Sequence, residues 1–392
     1  MVRQKAQEFI QHILEEEVTE LLGREKSERR AVVDALAGYR NGYGKPRRLA
    51  MSSGTITLRR PRVRGLEERF ESRVLPLFAR RTKELGALLP ELYLHGLAQG
   101  DFELALRGLL GDGAPLSKAS IQRLRQTWIE EFEAWSKRSL EGREIVYMWA
   151  DGIYVKAGLE RDKAAVLVVI GALRDGTKEV LALRPGFRES VESWSEVFRD
   201  LKARGIGAPR LQVADGNPAI WVASGQIWPE AGEQRCWNHK TTNVLDRLPQ
   251  REQAEAKELL RAVAYAPSRA EAVKAREVFS KRYKSWYPKA VDVLEDDWDR
   301  MVAFYDFPEA HWKHLRTTNI IESPFASVRL RTGAAKRYKR VDSATALIWK
   351  LLTVAEKRFR RLDAPHLLSD VYEGRKFADG KPVPSKQRKI AA

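Results

Sequence analysis

Pro209-Arg210-Leu211-Gln212-Val213-Ala214-Asp215-Gly216-Asn217-Pro218-Ala219-Ile220 decides the fold. A short apolar run delivers an acid, and Gly-Asn-Pro then turns the chain into a helix. That is how an α/β sheet presents a charge at the carboxyl end of a strand. Upstream, Ile145 to Ala150 reads as a strand ending at Asp151-Gly152. Ala164 to Leu173 and Val180 to Leu183 are two more, joined by a hairpin turn at Arg174-Asp175-Gly176-Thr177. Glu189 to Arg204 is an amphipathic helix carrying Val191, Trp194, Val197, Phe198 and Leu201 on one face. Downstream, a helix from Pro218 to Ser224 leads to a fifth strand at Glu233-Gln234-Arg235-Cys236. This order predicts an α/β domain: a mixed sheet with helices on its faces.

The chain has 392 residues, which sets a prior of two or three domains. Its 70 Lys+Arg outweigh 53 Asp+Glu, a net charge of +17 that favours polyanionic partners, nucleic acid first and an anionic membrane second. No apolar run has the length of a transmembrane helix, and Met1-Val2-Arg3-Gln4-Lys5 opens no signal-peptide core. Cys236 is the only cysteine, so no disulfide forms within the chain. The expectation is a soluble cytosolic protein bound to nucleic acid.

Within residues 1–38, Phe9, Ile10, Ile13, Leu14, Val18, Leu21 and Leu22 recur at helical spacing, which predicts an amphipathic helix packed on another helix or a second subunit. The basic, turn-rich stretch Arg40 to Arg48 precedes a strand at Thr55 to Leu58. Arg59, Arg60, Arg62 and Arg64 follow, with Pro61 keeping the segment extended as a phosphate-tracking arm or a solvated linker. Residues 82–137 read as three helices, the third running from Ile121 to Trp135 after a Ser117 or Ser120 cap. With Lys118, Arg123 and Arg125 near its start, that order fits a helix-turn-helix module or an ordinary bundle. The expected domains are therefore 1–75, 76–140, a catalytic domain in two parts at 141–237 and 313–362, an all-α insertion at 238–312, and a tail at 363–392. From Glu373 the polar tail is expected to be poorly ordered.

Asp-Gly occurs at 112, 151, 175, 215 and 379. A turn accounts for three of these, whereas Asp151 and Asp215 each end an apolar strand. On neighbouring strands their carboxylates would repel unless a cation sat between them, and Mg²⁺ is the natural one. Taken singly, each is as well explained by a turn or a cap. A third acid is Glu322, following Thr317-Thr318-Asn319, with a basic face of Arg316, Arg329, Arg331, Lys336 and Arg337 around and beyond it. Either Asn319 caps a helix that Pro324 disturbs, or Ser323 caps and Glu322 lies outside. Cys236-x-x-His239 and His311-x-x-His314 have zinc-type ligand identities, with a buried thiol and a helix-start histidine as the plainer reading.

Together, Tyr39-Arg40-Asn41-Gly42-Tyr43, Asp151-Gly152, Asp215-Gly216-Asn217-Pro218, Arg235-Cys236-Trp237-Asn238-His239-Lys240 and Thr317-Thr318-Asn319-Ile320-Ile321-Glu322-Ser323 resemble the bacterial insertion-sequence transposases of the Mutator type. The match covers residues from about 39 to 360. The resemblance implies a ribonuclease-H-like domain with an Asp-Asp-Glu triad of Asp151, Asp215 and Glu322, interrupted by a helical insertion. It also implies Mg²⁺ or Mn²⁺ as cofactor, two ions with DNA bound, double-stranded DNA as partner, at least a homodimer, and the bacterial cytosol as its place. Cys236 and His239 become a recurrent pair beside the active site, of unclear role. The sequence departs from the pattern at Pro324-Phe325, where many relatives carry Leu-Asn. One rival is a catalytically inactive DNA-binding protein derived from a transposase. The other is a recombinase with a tyrosine or serine nucleophile, for which Tyr154 and Tyr338 sit in no recognisable Arg/His constellation.

Overall fold

The computed structural model describes residues 2–29, 38–76, 79–97, 101–110, 118–157, 164–186, 188–334 and 338–384. The chain divides into two compact units, Met1–Leu124 and Arg125–Ala392.

The first unit contains α1 (Val2–Leu22), β1 (Tyr39–Tyr43), β2 (Arg47–Met51), β3 (Gly54–Leu58), β4 (Pro61–Arg64), α2 (Lys83–Leu94), α3 (Phe102–Leu110) and the start of α4 (Lys118–Ser136). β2 and β3 form an antiparallel hairpin, and β1 pairs antiparallel with β4. Leu14 of α1 is buried with Leu49, Met51, Ile56, Leu58 and Leu75. The amphipathic helix therefore packs on a hairpin rather than on another helix. The expectation of mainly helical segments here is corrected by the four strands β1 to β4. Pro61 to Arg64 of the arginine stretch form β4, whose backbone pairs with β1, and Arg59 and Arg60 precede it. The three expected helices are present as α2, α3 and α4, with Pro90 inside α2. Ser117, offered as a cap, and the rest of the α3–α4 connection lie outside the described residues.

In the second unit, β5 (Ile145–Val155), β6 (Ala164–Leu173), β7 (Lys178–Gly186), β8 (Leu211–Ala214) and β9 (Gly232–Arg235) make one sheet in the order β7-β6-β5-β8-β9. β6 runs antiparallel to β5 and β7, while β5, β8 and β9 are parallel. α5 (Val191–Ala203) buries Trp194, Val197, Phe198 and Leu201, an i, i+3, i+4, i+7 stripe, against Met148, Ala150, Leu167 and Val169 of the sheet. α6 (Pro218–Ile227) adds Ile220 and Trp221 to the same layer.

After α7 (Trp237–Leu245), α8 (Gln250–Ala264), α9 (Arg269–Tyr283) and α10 (Pro288–Glu295) form the helical insertion, and α11 (Trp298–Met301) and α12 (Trp312–Leu315) lead back. α13 (Asn319–Ala334), α14 (Val341–Glu356) and α15 (His366–Tyr372) pack on the other side of the sheet. Residues 385–392 of the polar tail lie outside the described residues, and the part before them is better held than its composition suggests. β10 (Phe377–Ala378) and β11 (Lys381–Pro382) pair, Phe377 is buried, and Asp379 Oδ1 accepts from Arg269 N at 2.7 Å.

Candidate active site

β5 does not stop at Asp151. It runs on to Val155 paired with β6, so Asp151-Gly152 lies within a strand and is no turn. The parallel pairing with β8 does end there, its last aligned pair being Ala150 with Ala214. Asp151 and Asp215 are the next residues on each chain, and the register brings the two acids together at one end of the sheet. Alternation along β5 sets Met148 and Ala150 toward α5 and α6, and Tyr147, Trp149 and Asp151 toward the opposite layer. The Trp149 indole confirms this by donating to His314 O at 3.1 Å.

The turn after β8 is built by its own side chains. Asp215 Oδ1 accepts from Asn217 N at 2.9 Å, Asn217 Oδ1 caps α6 by accepting from Ala219 N at 3.0 Å, and Pro218 occupies the first turn. Gly216 has φ +104°, and the Arg235 side chain lies where a Cβ would be. Arg235 in turn pairs with Asp297 at 2.7 Å.

Asp151 is buried, and its pKa is pushed up to about 7, first by desolvation and then by the charge of Asp215. Glu189, which the sequence reading missed, stands close by. Its carboxylate fills the space over Gly152 where a Cβ would sit, and Oε2 accepts from Asn217 Nδ2 at 3.3 Å. Burial raises its pKa, and Asp215 adds to the rise. No local pattern marks Glu189. Only its position just before the Ser190 cap of α5 brings it there.

Glu322 lies in the first turn of α13, its N–H donating to Thr318 O at 2.9 Å. Ile321, Phe325 and Val328 face inward, and Pro324 is tolerated as the sixth residue, close to the first turn. Asn319 is the first residue of α13, and Ser323 lies inside the helix. Thr317 Oγ1 accepts from Asn319 N at 3.4 Å, and the Thr318 hydroxyl bonds Glu322 Oε1. Two contacts bring α7 and α13 together across the insertion: Trp237 N donates to Arg316 O at 2.9 Å, and Asn238 Nδ2 to Asn319 Oδ1 at 3.0 Å.

Glu322 is turned toward Cys236 and His239. Ligand atoms of these three residues lie within 4.8 Å of one another, a grouping that Asp151, Asp215 and Glu322 do not make among the described residues. Thr318 N donates to Cys236 Sγ at 3.3 Å. His239 Nδ1 is buried without a completed hydrogen bond, 3.8 Å from Glu322 Oε1. Its pKa is pushed up to about 9, by the Cys236 sulfur as acceptor first and by Glu322 and Asp151 after it, against the effect of burial. His311 and His314 do not complete a zinc site with this pair. His311 Nδ1 bonds Tyr147 Oη at 2.8 Å, and His314 Nε2 is 3.6 Å from Asp363.

The description "Transposase, Mutator family" belongs to the family model that matches residues 1–361. The chain belongs to the Mutator family of transposases. It is 42% identical over 297 residues to the transposase of insertion sequence element IS6120 of Mycolicibacterium smegmatis, covering 76% of this chain and 92% of that one. It is likewise 42% identical over 281 residues to the transposase of element IST2 of Acidithiobacillus ferrooxidans, covering 71% and 95%. Among solved structures, the HTLV-2 integrase catalytic core domain in complex with magnesium matches 31% of this chain and 85% of its own at 15% identity. Its TM-score of 0.19 is too low to carry an argument.

In a Mutator-family transposase the basic residues named from sequence are candidate DNA contacts, and they sort by exposure. Arg59, Arg62 and Arg64 are exposed, the last two on one face of β4. Arg60 is half-buried, donating to Phe70 O at 2.6 Å and stacking on the Phe70 ring. Arg123 and Arg329 are exposed and Arg125 is half-buried, whereas the Lys118 side chain and all of Lys336 and Arg337 lie outside the described residues. Two expectations are corrected. Arg331 is buried, and the Arg316 guanidinium stands over the rings of Tyr265, Phe304 and Trp312 at 4.7, 5.0 and 5.6 Å. A cation held that way is packing, not a phosphate contact. Arg316→Ala should lower stability by about 1–3 kcal/mol, read from thermal melting, and leave the salt dependence of DNA binding unchanged.

No helix among the described residues is long and apolar enough to cross a membrane.

Proposed function

We propose that this transposase binds the terminal inverted repeats of its element and cuts and joins DNA with a divalent metal held by Asp151, Asp215 and Glu322 on a ribonuclease-H-like sheet. The observation that carries the reading is the β5–β8 register, which aligns two acids at one end of these neighbouring strands, with Asp151 directed to the layer holding α13. An Asp151 whose pKa is pushed up to about 7 by burial and then by the Asp215 charge fits a site made for a cation. All-oxygen donors suit Mg²⁺ or Mn²⁺. When bound, the metal supplies positive charge to the attacking and leaving oxygens of an in-line displacement.

The protein's part is placement. Asp151 and Asp215 are fixed by the ladder and the Asn217 turn, and Glu322 is carried on a helix that can present it from the facing layer. In cleavage, the water oxygen bonds to phosphorus, the P–O3′ bond breaks, and a free 3′-hydroxyl is left. In strand transfer that hydroxyl attacks a target phosphodiester, one P–O bond forming as another breaks, with no covalent bond to the protein. Glu322 must leave His239 to join the two aspartates, and substrate binding is the natural trigger. Two element ends have to be held at once, so the acting form is at least a homodimer.

The test is cleavage and joining of duplexes carrying the element's ends, with Mg²⁺, by the full-length chain. Binding without any cleavage would favour the inactive derivative instead. Arg62→Gln with Arg64→Gln should flatten the slope of log affinity against log salt by about 0.9 for each phosphate that the pair neutralises. An unchanged slope would remove β4 from the DNA-binding surface.

A further inference from the structure

We propose that Cys236, His239 and Glu322 form a binding site for a thiophilic divalent cation, with Zn²⁺ as its chemical class, distinct from the oxygen-lined pair Asp151 and Asp215. The three ligand atoms already lie within 4.8 Å of one another, close to the spacing that a shared tetrahedral ion imposes. His239 Nδ1 is buried, lacks a hydrogen bond of normal geometry and stands 3.8 Å from Glu322 Oε1. Cys236 Sγ accepts the Thr318 backbone N–H at 3.3 Å, which fixes the position of the sulfur. Sulfur, imidazole nitrogen and carboxylate together select a borderline-soft ion, whereas Mg²⁺ takes oxygen.

The site is also built rigidly. Cys236 and His239 sit at the start of α7, three residues apart and so on one face. The Trp237–Arg316 and Asn238–Asn319 bonds hold the backbone of the third ligand beside them. With His311 and His314 engaged elsewhere, the fourth position is left to water. Resting on the reading of Glu322 as third acid, the consequence is regulatory. A Zn²⁺ ion here withdraws Glu322 from Asp151 and Asp215 and holds the transposase in a resting state.

Cys236 is the only cysteine, so thiolate-to-metal absorption reports on this site alone. Co²⁺ added to the metal-free full chain should give a thiolate-to-cobalt charge-transfer band in the near ultraviolet, saturating at one ion per chain and displaced by Zn²⁺. The band should vanish in Cys236→Ser and Cys236→Ala, whose thermal melting reports whether they fold. Co²⁺ affinity should fall about tenfold or more in His239→Ala and Glu322→Gln, and be retained in Asp215→Asn. No band in the wild-type chain overturns the proposal, and so does unchanged Co²⁺ affinity in His239→Ala and Glu322→Gln. One equivalent of Zn²⁺ should suppress Mg²⁺-dependent cleavage by the wild-type protein, and undiminished cleavage overturns the resting state. Cleavage by Asp215→Asn tests the acid triad separately, so the two readings fail independently.

Discussion

Asp151→Asn, Asp215→Asn and Glu322→Gln should each lower the rate of strand cleavage by on the order of a thousandfold or more, the scale on which one charge-stabilising group is felt. Binding of element-end DNA should stay nearly intact. Each replacement keeps the shape of the side chain and removes only its charge, so lost binding would point to misfolding. A variant that still cleaves well takes its residue out of the triad. Asp151 carries a second expectation with the opposite sign. Its folded-state pKa of about 7 lies above its ordinary value, so the metal-free protein loses stability as pH rises from about 4 to 7. Asp151→Asn does not titrate. At pH 8 without metal it should therefore melt at a higher temperature than the wild type while being inactive. A lower melting temperature there would show that the Asp151 carboxylate is better compensated than its surroundings indicate.

Gly216→Ala should cost on the order of 3 kcal/mol and abolish cleavage as well. At φ +104° any side chain is strained, and a Cβ would collide with Arg235 Nε. Arg235 cannot retreat cheaply, because it is buried and paired with Asp297. Relief would come by moving the turn that aims Asp215. Gly225→Ala is the control. It lies inside α6 with nothing within 4 Å of its Cβ, so it should be neutral or stabilise by about 0.5–1 kcal/mol. Thermal midpoints of both variants and the wild type decide the matter, and equal midpoints for Gly216→Ala and wild type would refute the strain.

The sheet was legible because its signals are local. Apolar runs of strand length, the Asp175-Gly176 hairpin turn and the Trp194-to-Leu201 stripe each name an element without outside help. Asp151-Gly152 misled as a stop, since a dipeptide that favours a turn also fits mid-strand when a neighbour such as β6 supplies pairing through Val155. The strands of the first unit were hidden for a related reason. Arg40 to Arg48 and Arg60 to Arg64 read as turn and arm by composition, and only pairing with a distant partner makes them β1, β2 and β4. The candidate site divides in the same way. Asp215 was visible from its own flanks, but Glu189 is near the aspartates only through the tertiary path of α5. Arg316 and Arg331 carry charge in the sequence like any surface arginine, and only the rings under Arg316 and the burial of Arg331 set them apart.

The alignment of β5 with β8 makes the interior of this protein part of its chemistry. A slip of one residue between those strands would send the Asp151 carboxylate to the α5 side and leave Asp215 without its neighbour. The aligned pairs of the ladder, from Tyr147 with Leu211 to Ala150 with Ala214, thus also set the spacing of the two acids. Substitutions at fully buried positions, Met148 or Val213 for instance, are then expected to surface first as misjoined or uncut ends in a chain that still folds.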